Sequence, residues 1–116
     1  MTRYLPFAMA TCAMMFTFMQ ISAEERNSLT EDEKNAGWRL LFDGRSTSGW
    51  RGYKSDKMPE SWRVENGSLF SRREQGKSVG DIVTEDLFDD FELRVDWKMK
   101  PGHNSGIIYR VVDLMG

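Results

Sequence analysis

Two carboxylates, Glu92 and Asp96, stand in a run where charged and apolar residues alternate without a break. Phe91, Leu93, Val95, Trp97 and Met99 occupy one parity, and Glu92, Arg94, Asp96, Lys98 and Lys100 the other. A carboxylate on an open strand face can act as a general base once a substrate proton comes within hydrogen-bond reach. Arg110 offers a planar guanidinium, which suits paired oxygens or a developing oxyanion. Asn104 and Ser105 can donate to and accept from hydroxyl groups, and His103, the sole histidine, could serve as a base or a ligand. Trp50, between Gly49 and Arg51, presents a ring for stacking. Glu92, Asp96 and Arg110 are thus the candidate catalytic residues, and Asn104, Ser105, His103 and Trp50 the candidate substrate-binding residues. Each has a plainer role as well. Half-exposed antiparallel strands carry solvated charges, turn asparagines satisfy their own backbone, and a lone turn histidine is commonly just exposed.

The same inventory bounds the metal chemistry. One histidine, and one cysteine at Cys12, do not make a zinc site. Glu85, Asp86, Asp89 and Asp90 form an acidic cluster without calcium-loop spacing, which reads as a solvated turn. No cofactor is expected, and only an oxygen-ligated cation such as calcium is left open.

These residues need strands to position them. Thr30 and Glu33 have capping-box spacing, so a short helix is expected before Gly37. From Trp38 onward the period is two. Strands are expected at 39–42, 61–65, 68–71, 80–84, 91–99 and 105–112, with Trp50 in a Gly-rich connection. Asn66-Gly67 between two such runs is a strong hairpin signal. Trp62 and Trp97 share parity with Val64 and Val95 and are expected in the core. Asp96 opposes Trp97, and Arg110 shares parity with Gly106, so Asp96 and Arg110 are expected to face one groove. Short antiparallel strands with turn signals between them give an all-β sandwich or barrel. Six strands are few for two sheets, so the expectation is a truncated sandwich.

The first 23 residues stand apart. Arg3 precedes an apolar run, Ser22 and Ala23 end it, and Glu24, Glu25 and Arg26 follow. That order is a secretory signal peptide cleaved after Ala23, and it predicts a bacterial periplasmic or secreted protein. Pro6 and Gln20 shorten the run below a comfortable membrane span, so no stable insertion is expected after cleavage. Residues 24–36 form a polar leader, and 37–116 the domain. The 16 basic and 18 acidic residues give a net charge of −2. Without a basic stripe, nucleic acid is excluded as a partner.

Several motifs resemble a known family when taken in order. Gly37-Trp38-Arg39-Leu40-Leu41-Phe42-Asp43-Gly44 with Gly49-Trp50-Arg51-Gly52-Tyr53 resembles the opening of the 3-keto-disaccharide hydrolase domain. Trp62 to Leu69, Gly80 to Thr84, Phe91 to Lys98 and Asn104 to Arg110 resemble its following strands. The resemblance implies the N-terminal half of a concanavalin A-like, jelly-roll type β-sandwich with a carbohydrate-binding concave face. It also implies an exported protein acting on oxidised glycosides. A ketone at C3 acidifies the C2 proton, so a base and an enolate partner can expel the C1 substituent by elimination, after which water adds. A glycan-binding module without turnover and an inactive remnant are the alternative expectations.

Overall fold

The computed structural model of the chain describes residues 26–113. The signal-peptide reading of residues 1–23, with the cleavage after Ala23, lies outside the described residues. From Glu31 onward the described elements are β-strands apart from one short helix.

That helix, α1 (Glu31–Asn35), begins as its sequence dictates. Thr30 takes an extended backbone, its side chain accepts from the Glu33 N–H at 3.2 Å, and the Glu33 carboxylate accepts from the Thr30 N–H at 2.8 Å. Two orphan N–H groups are thereby satisfied reciprocally. Acidic residues fill the first turn, where the helix dipole favours negative charge. Gly37 follows at φ +90°, a conformation that glycine adopts at low cost.

Four strands pair into two antiparallel ladders. β1 (Trp50–Gly52) lies against β4 (Ile82–Thr84), with Arg51 opposite Val83. Tyr53 N–H donating to Asp81 O and Glu85 N–H donating to Gly49 O prolong this ladder at both ends. β2 (Trp62–Glu65) lies against β3 (Ser68–Ser71), with Val64 opposite Leu69. The turn between them is Asn66-Gly67, at φ +50° and +71°, the paired positive values of the expected two-residue hairpin. Two antiparallel ladders agree with the β-sandwich class read from the sequence.

Side chains tie the ladders to each other and to the connections. Trp62 Nε1 donates to Gly80 O at 3.0 Å, and the Ser61 hydroxyl donates to Val79 O. Asn27 Nδ2 donates to Gly67 O at 2.9 Å. Gly52 is buried, with its N–H bound to Lys57 O at 2.9 Å.

Three expected strands do not form ladders, and one unexpected strand does. Residues 39–42 bend at Leu41 instead of pairing. Residues 91–99 run without bend or turn, yet they form no main-chain hydrogen bond with other described residues. Residues 105–112 are likewise unpaired among the described residues, and Arg110 breaks their line at φ +57°. A strand is stabilised by cross-strand partners, so alternation alone leaves it extended but unpaired. Trp50, expected in a connection, instead opens β1, because Ile82 to Thr84 offer it a partner. The expected core placement of Trp97 is also corrected: it is 74% exposed, and no hydrophobic side chain among the described residues is fully buried.

Candidate functional site

The concavity that includes a candidate catalytic residue is a cavity of about 430 Å³ around Arg110. Phe88, Asp89, Asp90 and Phe91 form one wall, and Tyr109 and Arg110 the other. The first wall is built by the chain leaving β4. Thr84 Oγ1 donates to Asp86 O at 2.9 Å, and Arg39 Nη2 holds the Asp86 carboxylate at 2.6 Å. The Arg39 guanidinium also lies over the Phe88 ring, 5.4 Å from its centroid. The second wall is fixed just downstream of Arg110. Asp113 accepts from Arg51 Nη1 at 2.5 Å and from the Lys54 N–H at 3.2 Å, and Val112 O accepts from the Tyr53 hydroxyl at 3.4 Å. Arg51 further donates to Gly52 O and Ser55 O. These contacts join β1 to the chain that carries Arg110.

The Arg51–Asp113 pair is well covered, with side chains 20% and 9% exposed. The hydrogen bond from Arg51 is the main cause holding the Asp113 carboxyl below its ordinary value; the Lys54 N–H adds to this, and burial opposes it.

Chemically, the cavity joins two carboxylates, one guanidinium and three aromatic rings. A guanidinium beside carboxylates can hold a developing oxyanion while a carboxylate takes a proton. Aromatic rings beside polar groups suit an amphipathic ring-shaped ligand. Among the described residues no group of three or more His, Cys, Asp or Glu side chains is placed to hold a metal.

The candidates read from the sequence are distributed unevenly. Arg110 lines the cavity, whereas Asp96 and Glu92 do not. Glu92 is held by Arg94, whose Nη2 and Nε lie 3.0 and 3.1 Å from its Oε1. Arg94 in turn lies over the Trp38 ring, 4.1 Å from the centroid. Asp96 is exposed and makes no side-chain hydrogen bond among the described residues. His103 sits in the turn after Pro101-Gly102, with its N–H donating to Lys100 O at 3.2 Å. Asn104 and Ser105 are exposed beside it. Trp50 stands apart on β1, its Nε1 donating to Leu41 O at 2.6 Å. Asp89 and Asp90, which the sequence offered as a solvated turn or, less favoured, as part of a calcium-holding cluster, line the cavity with Arg110. The signal available was the Phe-Asp-Asp-Phe order, two carboxylates flanked by two rings.

Comparison with known proteins decides the family. The profile of the 3-keto-alpha-glucoside-1,2-lyase-like domain matches residues 37–115, more than half of the chain. The chain belongs to this family. A 3-keto-disaccharide hydrolase of Bacteroides thetaiotaomicron is 36% identical over 94 residues, covering 77% of this chain and 32% of that protein. The chain thus spans about a third of this curated relative. A crystal structure of a proposed glycosyl hydrolase from Parabacteroides distasonis shares 41% identity, with a TM-score of 0.33 over 35% of this chain and 18% of that one. The family's matched segment includes both walls of the Arg110 cavity and the Arg51–Asp113 pair that supports it.

Proposed function

We propose that this family member acts outside the cytoplasm on glycosides oxidised at C3, by proton abstraction at C2 and elimination at C1. The observation that carries this reading is a cavity lined by Arg110, Asp89, Asp90 and three aromatic residues, within the segment that matches the family. The C2–H bond breaks and its proton passes to a carboxylate. The electron pair forms the C1–C2 double bond through an enolate at the C3 oxygen, and the C1–O bond breaks, the leaving oxygen taking a proton from the carboxyl group or from water so that it departs as the alcohol. Water then adds across that double bond, returning hydrogen to C2 and hydroxyl to C1. Arg110 stabilises the enolate oxygen. Asp89 or Asp90 takes the proton, with Asp96 and Glu92 the alternative bases. Asn104, Ser105 and His103 bind sugar hydroxyls, and Trp50 stacks on a ring. No cofactor is required by this route, and an oxygen-ligated calcium could assist at the enolate.

The test is turnover of a 3-keto-glucoside in deuterated water. Deuterium at C2 of the released sugar is expected, together with a slower reaction of the substrate labelled at C2. Arg110→Ala should lower kcat about 10²–10³-fold, the usual loss when one oxyanion donor is removed. Equal cleavage of the unoxidised glucoside, or full retention of the C2 hydrogen, would refute the mechanism. A start at Glu24 in N-terminal sequencing of the exported protein would support the location, and an intact Met1 on membranes would refute it.

Glycan binding without turnover is the second reading, favoured by the open cavity with three rings, Phe88, Phe91 and Tyr109. It predicts calorimetric binding of oxidised and unoxidised glucosides alike, with no product from either.

A further inference from the structure

Three described residues other than glycine take positive φ: Lys54 at +54°, Asn66 at +50° and Arg110 at +57°. Local turns account for the first two. Asn66 stands in the two-residue hairpin, which needs positive φ at both positions. Lys54 is the third residue of the turn that the Ser55 N–H closes on Gly52 O at 3.2 Å, the position at which type II turns take positive φ. Arg110 has no such turn. The backbone of residues 109–111 forms no main-chain hydrogen bond with other described residues. A left-handed residue with a side chain lowers the folded-to-unfolded ratio about 5–30-fold, so the surroundings must impose the conformation.

That support stands three residues downstream. Asp113 Oδ2 accepts from Arg51 Nη1 at 2.5 Å and from the Lys54 N–H at 3.2 Å. Asp113 Oδ1 is buried and accepts no hydrogen bond among the described residues, so the whole fastening acts through one oxygen. The Tyr53 hydroxyl holds Val112 O at 3.4 Å. Arg51 is itself fixed by the β1–β4 ladder and by its bonds to Gly52 O and Ser55 O. With side chains 20% and 9% exposed, the ion pair is little screened by solvent. Three residues span at most about 10 Å, so fixing Asp113 constrains the path of the chain at Arg110. The two left-handed residues outside the hairpin are thus linked through one carboxylate.

We propose that Arg51 and Asp113 are positioning residues for Arg110: their ion pair holds the Arg110 backbone in the left-handed conformation in which this residue lines the cavity. Strained backbone persists where surrounding contacts over-determine it, and such residues cluster at functional sites. Its bearing on catalysis rests on the enolate role proposed for Arg110.

The test compares Arg110→Gly with Arg110→Ala in the full chain. Both remove the side chain, and they differ chiefly in backbone preference. Urea unfolding should give Arg110→Gly a folding constant about fivefold above that of Arg110→Ala, since glycine takes positive φ freely. With Asp113→Asn added, which keeps the shape and removes the charge, that advantage should vanish or reverse. Arg51→Lys, which keeps the charge and loses the planar fork, is the second background. An advantage that survives in both backgrounds, or is missing without them, would overturn the proposal. Failure of both backgrounds to fold would overturn it too, because the pair would then hold up the whole fold rather than one residue. Kinetics adds a readout that a merely structural pair would not move. On a 3-keto-glucoside, Asp113→Asn should lower kcat about tenfold or more with KM within about twofold, and should cost nothing further in an Arg110→Ala background. Additive losses would end the positioning role. A parent chain without turnover would refute the chemistry alone, and the glycine–alanine comparison would still decide whether the pair holds Arg110.

Discussion

Residues 27–84 and residues 85–113 differ in how far each structural signal must reach. In the first region the signals that can be read from the sequence lie close to their partners, although the β1–β4 ladder joins residues some thirty apart. Thr30 meets Glu33 within one turn, and Asn66-Gly67 folds Trp62–Glu65 onto Ser68–Ser71. Asp43 accepts from the N–H groups of Arg45 and Ser46 and from the Ser46 hydroxyl, which holds its carboxyl below the ordinary value. In the second region the strongest alternation in the chain, Phe91 to Met99, produces no ladder. Local signals close their own hydrogen bonds, whereas a strand depends on a partner that its own pattern cannot supply. The second region is fastened to the first chiefly by long-range polar contacts, Arg39–Asp86 and Arg51–Asp113.

The largest effect is therefore expected where the two regions are joined. Arg51→Ala removes the donor to Asp113, Gly52 O and Ser55 O together, and leaves a largely covered carboxylate without its guanidinium. Its melting temperature should fall further than that of any other variant considered below. The pH dependence gives a second readout. The folded Asp113 carboxyl holds its charge below its ordinary value of 3.8, so the unfolded chain takes up its proton first. The contribution is fully present above that value and is lost as pH falls through the lower folded one. The parent chain should lose stability below about pH 4, and Arg51→Ala should show a smaller loss over the same window. An equal loss in both would break the comparison.

Gly52→Ala tests the first region from inside. A Cβ there would lie 2.8 Å from Lys57 O and 3.1 Å from Ser55 Cβ, and the backbone carbonyl cannot move aside without breaking its bond to the Gly52 N–H. Overpacking of this kind costs about 1–3 kcal/mol, measurable by urea unfolding. Because Gly52 adjoins Arg51, the substitution should also loosen residues 110–113. A change confined to the β1–β4 ladder would show that the two regions are coupled less tightly than their contacts imply.

Much of the fold was legible in the sequence, and the limits follow the same division. The capped helix, the hairpin and the third and fourth strands could be read because Thr30, Glu33, Asn66 and Gly67 act on neighbours. β1 was missed because Trp50 to Gly52 carry no periodic signal, and their partner Ile82–Thr84 lies some thirty residues on. Trp97 was misplaced because alternation reports which face should be buried, and says nothing of what covers it. Of the residues that line the cavity, Arg110 was the one the sequence had singled out, for its guanidinium. Asp89 and Asp90 were not, since a cavity that joins residues 88–91 to 109–110 is a tertiary fact. The Arg51–Asp113 pair was invisible for the same reason.

Gly67→Val isolates the local signal of the hairpin. A β-branched residue at φ +71° costs about 1–2 kcal/mol, because its Cβ crowds the following carbonyl. Denaturant unfolding should show that loss, and Gly67→Asn, which tolerates positive φ, should recover most of it. If Gly67→Val left stability unchanged, the hairpin would not be part of the cooperative unit.

The smallest effect is expected at α1, where the signal is the most local of all. Thr30→Ala removes the side-chain acceptor for the Glu33 N–H and leaves one half of the capping box without its counterpart. Loss of such a cap costs about 1 kcal/mol of helix stability. The helix is five residues long and contains no buried residue, so little of that loss should reach the ladders. Faster hydrogen exchange is expected at Lys34 and Ala36, whose N–H groups bond to Thr30 O and Asp32 O, while β2 and β3 keep their protection. Thr30→Ser, which keeps an acceptor oxygen, should restore the exchange rates. If Thr30→Ala instead lowered protection in β2 and β3, α1 would belong to the same cooperative unit as the hairpin. The Asn27–Gly67 hydrogen bond would then be the connection to examine, since it ties the chain before α1 to the hairpin turn.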